Sequence, residues 1–204
     1  MSGKVEEQLP AIKDIAVGSE VRFTENGAAW IYCGVQFGNA QILRDLFYPA
    51  TKKSALDYDG SAADTYLTGT ILPDFSVAQR AIMRDSTIEI QISDGSATSK
   101  KSIARKIYCP DWTQVKNGGT FLTALYAYKH TSSGNDARKA MDSGGTYRDY
   151  WSCWAYNATQ CAAVASSGST GGYAPSVAKY IRPVVSLDKN TKVKLVDGKY
   201  ILQY

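Results

Sequence analysis

One histidine, His130, is all the imidazole in 204 residues. Cysteine is scarce too: Cys33, Cys109, Cys153 and Cys161 are the four, and no two are spaced C-x-x-C. A His/Cys zinc site is therefore not expected, and no metal or other cofactor is assigned. The thiols read as small buried side chains. No apolar run approaches the ~20 residues of a membrane helix, so membrane insertion is not expected. Charge of one sign does not accumulate, with 23 Lys and Arg against 19 Asp and Glu. The densest basic runs, Lys52-Lys53 and Lys100-Lys101, read as solvated loops rather than a nucleic-acid patch. G-x-S-x-G does not occur, and His130 in "YKHTSSGND" reads as a surface residue rather than a base paired with Asp136. The opening "MSGKVEEQLPAIKDI" has neither the basic first region nor the apolar core of a signal peptide. Synthesis in the cytoplasm without a classical leader is the expectation.

What is present is apolar content sufficient for a core, at 44%, and an excess of tyrosine, 14 residues beside four tryptophans. The aromatics crowd the C-terminal half. Residues 1–15 read as an arm: Val5, Leu9, Ile12 and Ile15 are too sparse for a helix, and Pro10 interrupts them. Another subunit or a larger assembly is the favoured holder of this arm, with the same chain's C-terminal hairpin as the other option. Residues 16–204 read as a single α+β domain.

Along that domain, "AVGSEVRFTENGAAWIYCGVQ" predicts two strands around a turn at Glu25-Asn26-Gly27, and "AQILRDLFY" a third ending near Pro49. Two short helices follow. Ser61 caps the first and Gly69 can close it. Ser76 and Gln79 form a capping box for the second, whose apolar face would be Val77, Ile82 and Met83. "STIEIQIS" alternates as a half-buried strand, "SDGSATSKKS" is a loop, and "IARKIYCP" is a possible strand. From Asn117 to Tyr147, Gly and Ser punctuation predicts long irregular connections. "YWSCWAY" and "CAAVASS" are strands around a turn near Asn157, "STGGYAPS" is a glycine-rich loop, and Asp197-Gly198 is a two-residue hairpin turn.

"YIRPVVSL" puts a charge and a proline inside a β-branched run. The order of segments around it supplies a context. The helical stretch is similar to a pattern S-x-x-x-x-Y-L-N-x-x-F-x-x-x-F-s: Ser61, Tyr66, Leu67, Phe75 and Ser76 match, Thr68 replaces the Asn, and Ile71 or Leu72 the first Phe. The closing part is similar to W-W-L-R-S-P … G-V-R-P-V, matched by Tyr150-Trp151 and Ile181-Arg182-Pro183-Val184. With the entry strand "AVGSEVRF", these segments resemble bacterial and prophage domains related to the C-type-lectin-like and formylglycine-generating-enzyme folds. Where that pattern has an arginine after the tryptophan, this chain has Cys153, within Ser152-Cys153-Trp154-Ala155.

The resemblance implies short twisted antiparallel strands, two short helices and long irregular loops, with the last strands returning beside the first. It implies structural roles for Trp151, Tyr66, Phe75 and Arg182, the last as a clamp whose five donors meet loop carbonyls. Pro183 would mark a strand edge or bulge. It further implies a non-enzymatic virion protein, on a capsid or tail, made in the host cytoplasm and released by lysis. Its partners would be other virion proteins or copies of itself, and a host-surface glycan or protein. The alternatives are a formylglycine-generating-type oxidase using Cys153 and Cys161, and a secreted adhesin domain. The calcium motifs of sugar-binding C-type lectins are absent, because Pro73-Asp74 and Pro110-Asp111 lack the preceding Glu or Gln. The acidic "DYDGSAAD" fits a helix N-terminus better than a calcium loop. Asn157-Ala158-Thr159 is a glycosylation sequon by pattern only. The candidate binding surface is Tyr147, Tyr150, Trp154, Tyr156 and Tyr173, aromatics interleaved with small polar residues as in adaptable paratopes. Strand alternation places Tyr150 and Trp154 outward and Trp151 inward.

Overall fold

The computed structural model describes residues 8–92 and 99–204. Residues 8–15 pair with the chain's own C-terminal segment, the second of the two holders considered for the arm. Ile12 N–H donates to Thr191 O (2.8 Å), Val193 N–H to Pro10 O (3.0 Å), and Ile12 is wholly buried. Pro10 stops a helix here, but its carbonyl is free to pair with a strand-like neighbour.

Strands β1 (Glu20–Arg22), β2 (Trp30–Gln36), β3 (Asn39–Arg44) and β4 (Tyr48–Lys52) follow in order. Pro49 lies inside β4 rather than ending β3. That is tolerated because β4 is an edge strand, where a missing N–H costs no ladder bond. The first helix, α1 (Ala62–Tyr66), is capped by Ser61, whose hydroxyl accepts from Asp64 N–H. It does not close at Gly69. It runs on through a π-helical turn at Leu67–Ile71 into α2 (Leu72–Asp74). The Thr68 hydroxyl bonds back to Asp64 O (2.8 Å), and Pro73 has no N–H to return to Gly69; both favour a widened turn. Helix α3 (Val77–Ile82) has both capping-box hydrogen bonds, from Ser76 and Gln79. Its expected apolar face is only partial: Met83 is buried, but Val77 is 76% exposed.

Strands β5 (Ser86–Gln91) and β6 (Lys100–Arg105) form a two-stranded ladder, with Ile88 and Ile90 inward. Most of the loop expected between them lies outside the described residues, and Lys100 and Lys101 stand on β6, not in a loop. After β7 (Ile107–Tyr108) comes α4 (Trp112–Val115), and then α5 (Leu122–Lys129) and α6 (Gly134–Arg138) stand within 117–147, the span expected to be irregular. His130 is the exposed C-cap of α5 in the left-handed conformation. Strands β8 (Tyr150–Ala155), β9 (Cys161–Val164), β10 (Thr170–Tyr173), β11 (Ala178–Ile181), β12 (Val184–Leu187), β13 (Val193–Val196) and β14 (Lys199–Leu202) complete the chain. The supposed glycine-rich loop is thus partly strand β10, paired with β9. The β13–β14 turn is Asp197-Gly198, both at positive φ as a type I′ hairpin requires.

Among the described residues the strands make a seven-stranded sheet, ordered β13-β14-β1-β2-β3-β12-β7, and a five-stranded sheet, ordered β10-β9-β8-β11-β4. The architecture is mixed α+β. Pairing is not wholly antiparallel: β14 runs parallel to β1, and β11 to β8. The helical segments number more than the two expected. Phe75 packs on Phe23 and Trp30, with centroids 5.1 and 6.3 Å away, and Tyr66 is half-buried beside it on the same core.

The run "YIRPVVSL" is where the chain changes sheets. β11 belongs to the five-stranded sheet, β12 to the seven-stranded one, and Arg182-Pro183 is the link. Arg182 is fully buried there. Its Nε donates to Arg44 O (2.9 Å) and its Nη1 to Arg138 O (3.2 Å), while Nη2 lies 3.8 Å from Asp45 Oδ1. Pro183 O accepts from Arg44 N–H at 3.0 Å.

Candidate functional site

At one end of β8 the strand bulges between Trp151 and Ala155, so simple alternation breaks down. Trp154 leaves the core half-exposed, and its indole N–H donates to Gln91 Oε1. Tyr156, 46% exposed, follows at the turn, where Tyr156 N–H donates to Gln160 O (2.7 Å). Trp112, in the first turn of α4, meets Tyr156 edge-on at 6.0 Å. These three rings, with Gln91, Ala155 and Ala162, enclose a cleft of about 100 Å³. Small residues form its base. Gly172 is required, because a β-carbon there would collide with the Tyr156 ring and with Gln160. Lys100 Nζ stands 5.7 Å from the Trp154 ring centre and pairs with Glu89 at 2.6 Å, both half-exposed.

The other residues expected in this surface lie elsewhere. Tyr150 is fully buried: it packs on Phe47 (5.4 Å), its hydroxyl donates to Arg138 O (3.2 Å), and the Arg182 guanidinium lies 5.5 Å from its ring. Tyr147 is exposed but sits beyond the opposite end of β8, near Lys139. Tyr173 registers with Cys161, whereas Gly172 registers with Ala162. It therefore faces the other side of the sheet from the cleft, with Lys179 Nζ 3.4 Å over its ring. Trp151 is buried and donates its indole N–H to Thr51 O at 3.0 Å. Trp112 was missed by sequence reading. Its signal was the helix start "PDWTQ", where Asp111 and Gln114 form a capping box that fixes the ring's position.

Asp111 sits beside this cleft and is almost fully buried. Burial pushes its carboxyl up to about 6, although Thr113 N–H donates to it at 2.8 Å. An unfolded aspartate titrates near ~3.9, so the folded chain holds this proton more tightly. The stability it contributes is present below about pH 4 and is lost as pH rises through about 6. Asp111→Asn keeps the cap acceptor and removes the buried charge. It is expected to stabilise the protein at pH 7 by roughly 1–3 kcal/mol and have little effect near pH 4. Denaturant titrations of both proteins at the two pH values check this, and an equal difference at both would refute it.

Lys53, expected in a solvated loop, is fully buried, because its ammonium replaces water with two carbonyls: Leu56 O (3.0 Å) and Trp154 O (3.3 Å). It thereby ties the segment after β4 to the strand that carries Trp154. Burial lowers its pKa, against the influence of the nearby Cys161, Cys153 and Cys109. All four thiols are free and buried. Burial pushes Cys33 and Cys109 up to about 12, Cys153 well above the ordinary thiol range, and Cys161 upward. At the start of α1, Arg105 pairs with both Asp59 and Asp64 at 2.7 Å, so a guanidinium already occupies the centre of the acidic "DYDGSAAD" stretch. Among the described residues no three His, Cys, Asp or Glu side chains are placed to hold a metal ion, and no helix is long and apolar enough to cross a membrane.

No curated protein and no solved structure matches this chain. A family model described as a domain of unknown function (DUF6273) matches residues 38–189, from just before β3 to just after β12. That span holds the aromatic cleft and the Arg182 link, and covers well over half of the sequence. The chain belongs to the DUF6273 family.

Proposed function

We propose that this is a non-enzymatic, C-type-lectin-like surface domain of a bacteriophage virion, which contacts the host surface through the Trp112–Trp154–Tyr156 cleft. The observation that carries the binding role is the cleft itself: three partly exposed rings together with Ala155, Ala162 and Gln91, and the Lys100 ammonium 5.7 Å from the Trp154 ring. Rings with two side-chain torsions give large contact area at low entropic cost. Carbohydrate CH faces and planar peptide groups both suit such walls. The virion placement rests on the resemblance carried by Ser61, Tyr66, Phe75, Trp151 and Ile181-Arg182-Pro183-Val184. The buried thiols with raised pKa values favour this reading over an oxidase, because the thiolate is the reactive form.

The test has two arms. The full chain, Trp154→Ala and Tyr156→Ala are applied to an array of bacterial surface glycans. The wild type should retain a defined subset, and each variant should lose at least about tenfold in affinity, as ring truncation at a contact centre does. No glycan retained, or equal retention by the variants, refutes the glycan role of the cleft. Immunogold microscopy of particles from the source should label the virion; unlabelled particles refute the placement.

A further inference from the structure

A second cavity, of about 220 Å³, opens between β2, β3, β4 and the helical run that ends at Phe75. Trp30 and Phe75 form its apolar wall, and Arg44, Tyr48, Asp74 and Gln79 its polar one. None of these residues belongs to the aromatic cleft, so this site does not depend on the role assigned there.

Arg44 is the unusual group. Its guanidinium carbon lies 3.7 Å from the centre of the Tyr48 ring, so one face of the cation is covered. Its Nε and Nη1 are enclosed without a hydrogen-bond partner. Among the described residues no carboxylate lies within ion-pair distance of it. Arg80 and Arg138 also have none, but their guanidinium groups donate to backbone carbonyls and side-chain amides, whereas Arg22, Arg84, Arg105, Arg148 and Arg182 each have a carboxylate within 4 Å. A half-enclosed cation with no counter-ion is costly to keep, and a carboxylate that takes one charge-assisted hydrogen bond from the guanidinium would supply the missing anion. Burial also lowers its pKa, in keeping with the missing anion.

The rest of the cavity narrows the choice. Asp74 is an acceptor that calls for hydroxyl donors and repels a second negative charge on the ligand. Gln79 Nε2 is held by Tyr204 Oη at 3.1 Å, which fixes the amide at the cavity rim. Trp30 and Phe75 offer ring faces to an apolar CH surface. The volume lies below the ~300–1,000 Å³ of drug-sized pockets and suits one ring. We propose that this cavity binds a hydroxylated ring acid of the uronic-acid class, with Arg44 as the carboxylate partner and Asp74 as the hydroxyl acceptor.

Calorimetry or ligand-observed NMR on the full chain tests it with three probes: galacturonate, galactose and acetate. Galacturonate is expected to bind at least about tenfold more tightly than either of the others, the equivalent of one charge-assisted hydrogen bond. Arg44→Gln should bring galacturonate down to the level of galactose. Ala28→Phe narrows the cavity while leaving Arg44 in place, and should abolish binding of galacturonate; it keeps the test valid where Arg44→Gln fails to fold. Galacturonate binding no tighter than galactose or acetate overturns the proposal, as does unchanged galacturonate affinity in Ala28→Phe.

Discussion

Arg182→Ala is expected to lower the stability of the protein by about 3–5 kcal/mol, the range for breaking a buried charged group's contacts. The guanidinium is fully enclosed at the β11–β12 link, where the chain passes from the five-stranded to the seven-stranded sheet. Its removal leaves Arg44 O without its side-chain donor, and leaves Arg138 O with Tyr150 alone. It also leaves a void beside the Tyr150 ring and takes a cation away from Asp45. Burial pushes the Asp45 carboxyl up, but Arg182, Lys129 and Tyr128 together hold it below the ordinary carboxylate range. Without Arg182 that balance shifts towards protonation, so the variant should show less of the wild type's loss of stability on acidification at this site. Arg182→Lys should recover only part of the loss, because one ammonium cannot reach both carbonyls with the geometry of a planar fork. Differential scanning calorimetry of the three proteins at neutral pH decides it. An alanine variant that melts with the wild type would mean that the two sheets are joined by backbone pairing alone.

Several elements were legible because the local chemistry that makes them is complete in sequence. Ser76 and Gln79 form their capping box whatever packs around them, and Asp197-Gly198 turns the last hairpin by its own φ preferences. Strand β5 alternates from Ser86 to Ile90 because one of its faces meets solvent there, and the pattern ends at Gln91, which is buried against Trp154. Other elements are set by distant partners. Helix α5 has no side-chain N-cap, and its buried positions, Leu122, Ala124 and Leu125, do not make a clean stripe, so nothing local announces it. Strand β10 is read as a loop because Gly171 and Gly172 look like turn residues. Here both are pairing partners of β9, and Gly172 makes room for the Tyr156 ring. Gly69 seemed a helix end, but the π turn carries the helix through it to Phe75.

The candidate site divides in the same way. Trp154 and Tyr156 are two residues apart in sequence and line the same cleft. Tyr150 fails as a surface residue because β8 is covered on both faces at that point: Trp151 enters one core, and Tyr150 packs with Phe47, Val115, Ala140 and Val164 in another. Tyr173 fails because one step of register puts it opposite Cys161 rather than Ala162, a fact fixed by strand pairing and invisible in composition. Lys53 shows a related limit. A lysine beside a lysine reads as solvent-facing, yet the carbonyls of Leu56 in a loop and of Trp154 in β8 supply the acceptors that let it be buried.

Ile12→Ala is expected to destabilise the protein by about 2–5 kcal/mol, the range for truncating a fully enclosed aliphatic side chain. The sparse apolar pattern of residues 1–15 suggests a docking arm that needs an external partner. Residues 10–13 instead supply a bridge and backbone bonds to 189–193: Ala11 pairs with Lys192, Lys13 N–H donates to Lys189 O (3.2 Å), and Val193 N–H is taken up by Pro10 O. This stitch lies at the start of β13, the edge strand of the seven-stranded sheet, where unpaired N–H and C=O groups would otherwise face solvent. Ile12 fills the core under that edge, so its loss acts on the closing hairpin and, through the parallel β1–β14 pairing, on the first strands as well. Lys13→Ala, at an exposed position of the same turn, is the control and should change stability by no more than ~0.5 kcal/mol. Urea unfolding and sedimentation of both variants separate the two roles of the segment. If Ile12→Ala keeps wild-type stability but changes the oligomeric state, residues 8–15 are a docking arm after all. Lower stability with an unchanged oligomeric state makes them part of this domain's own core.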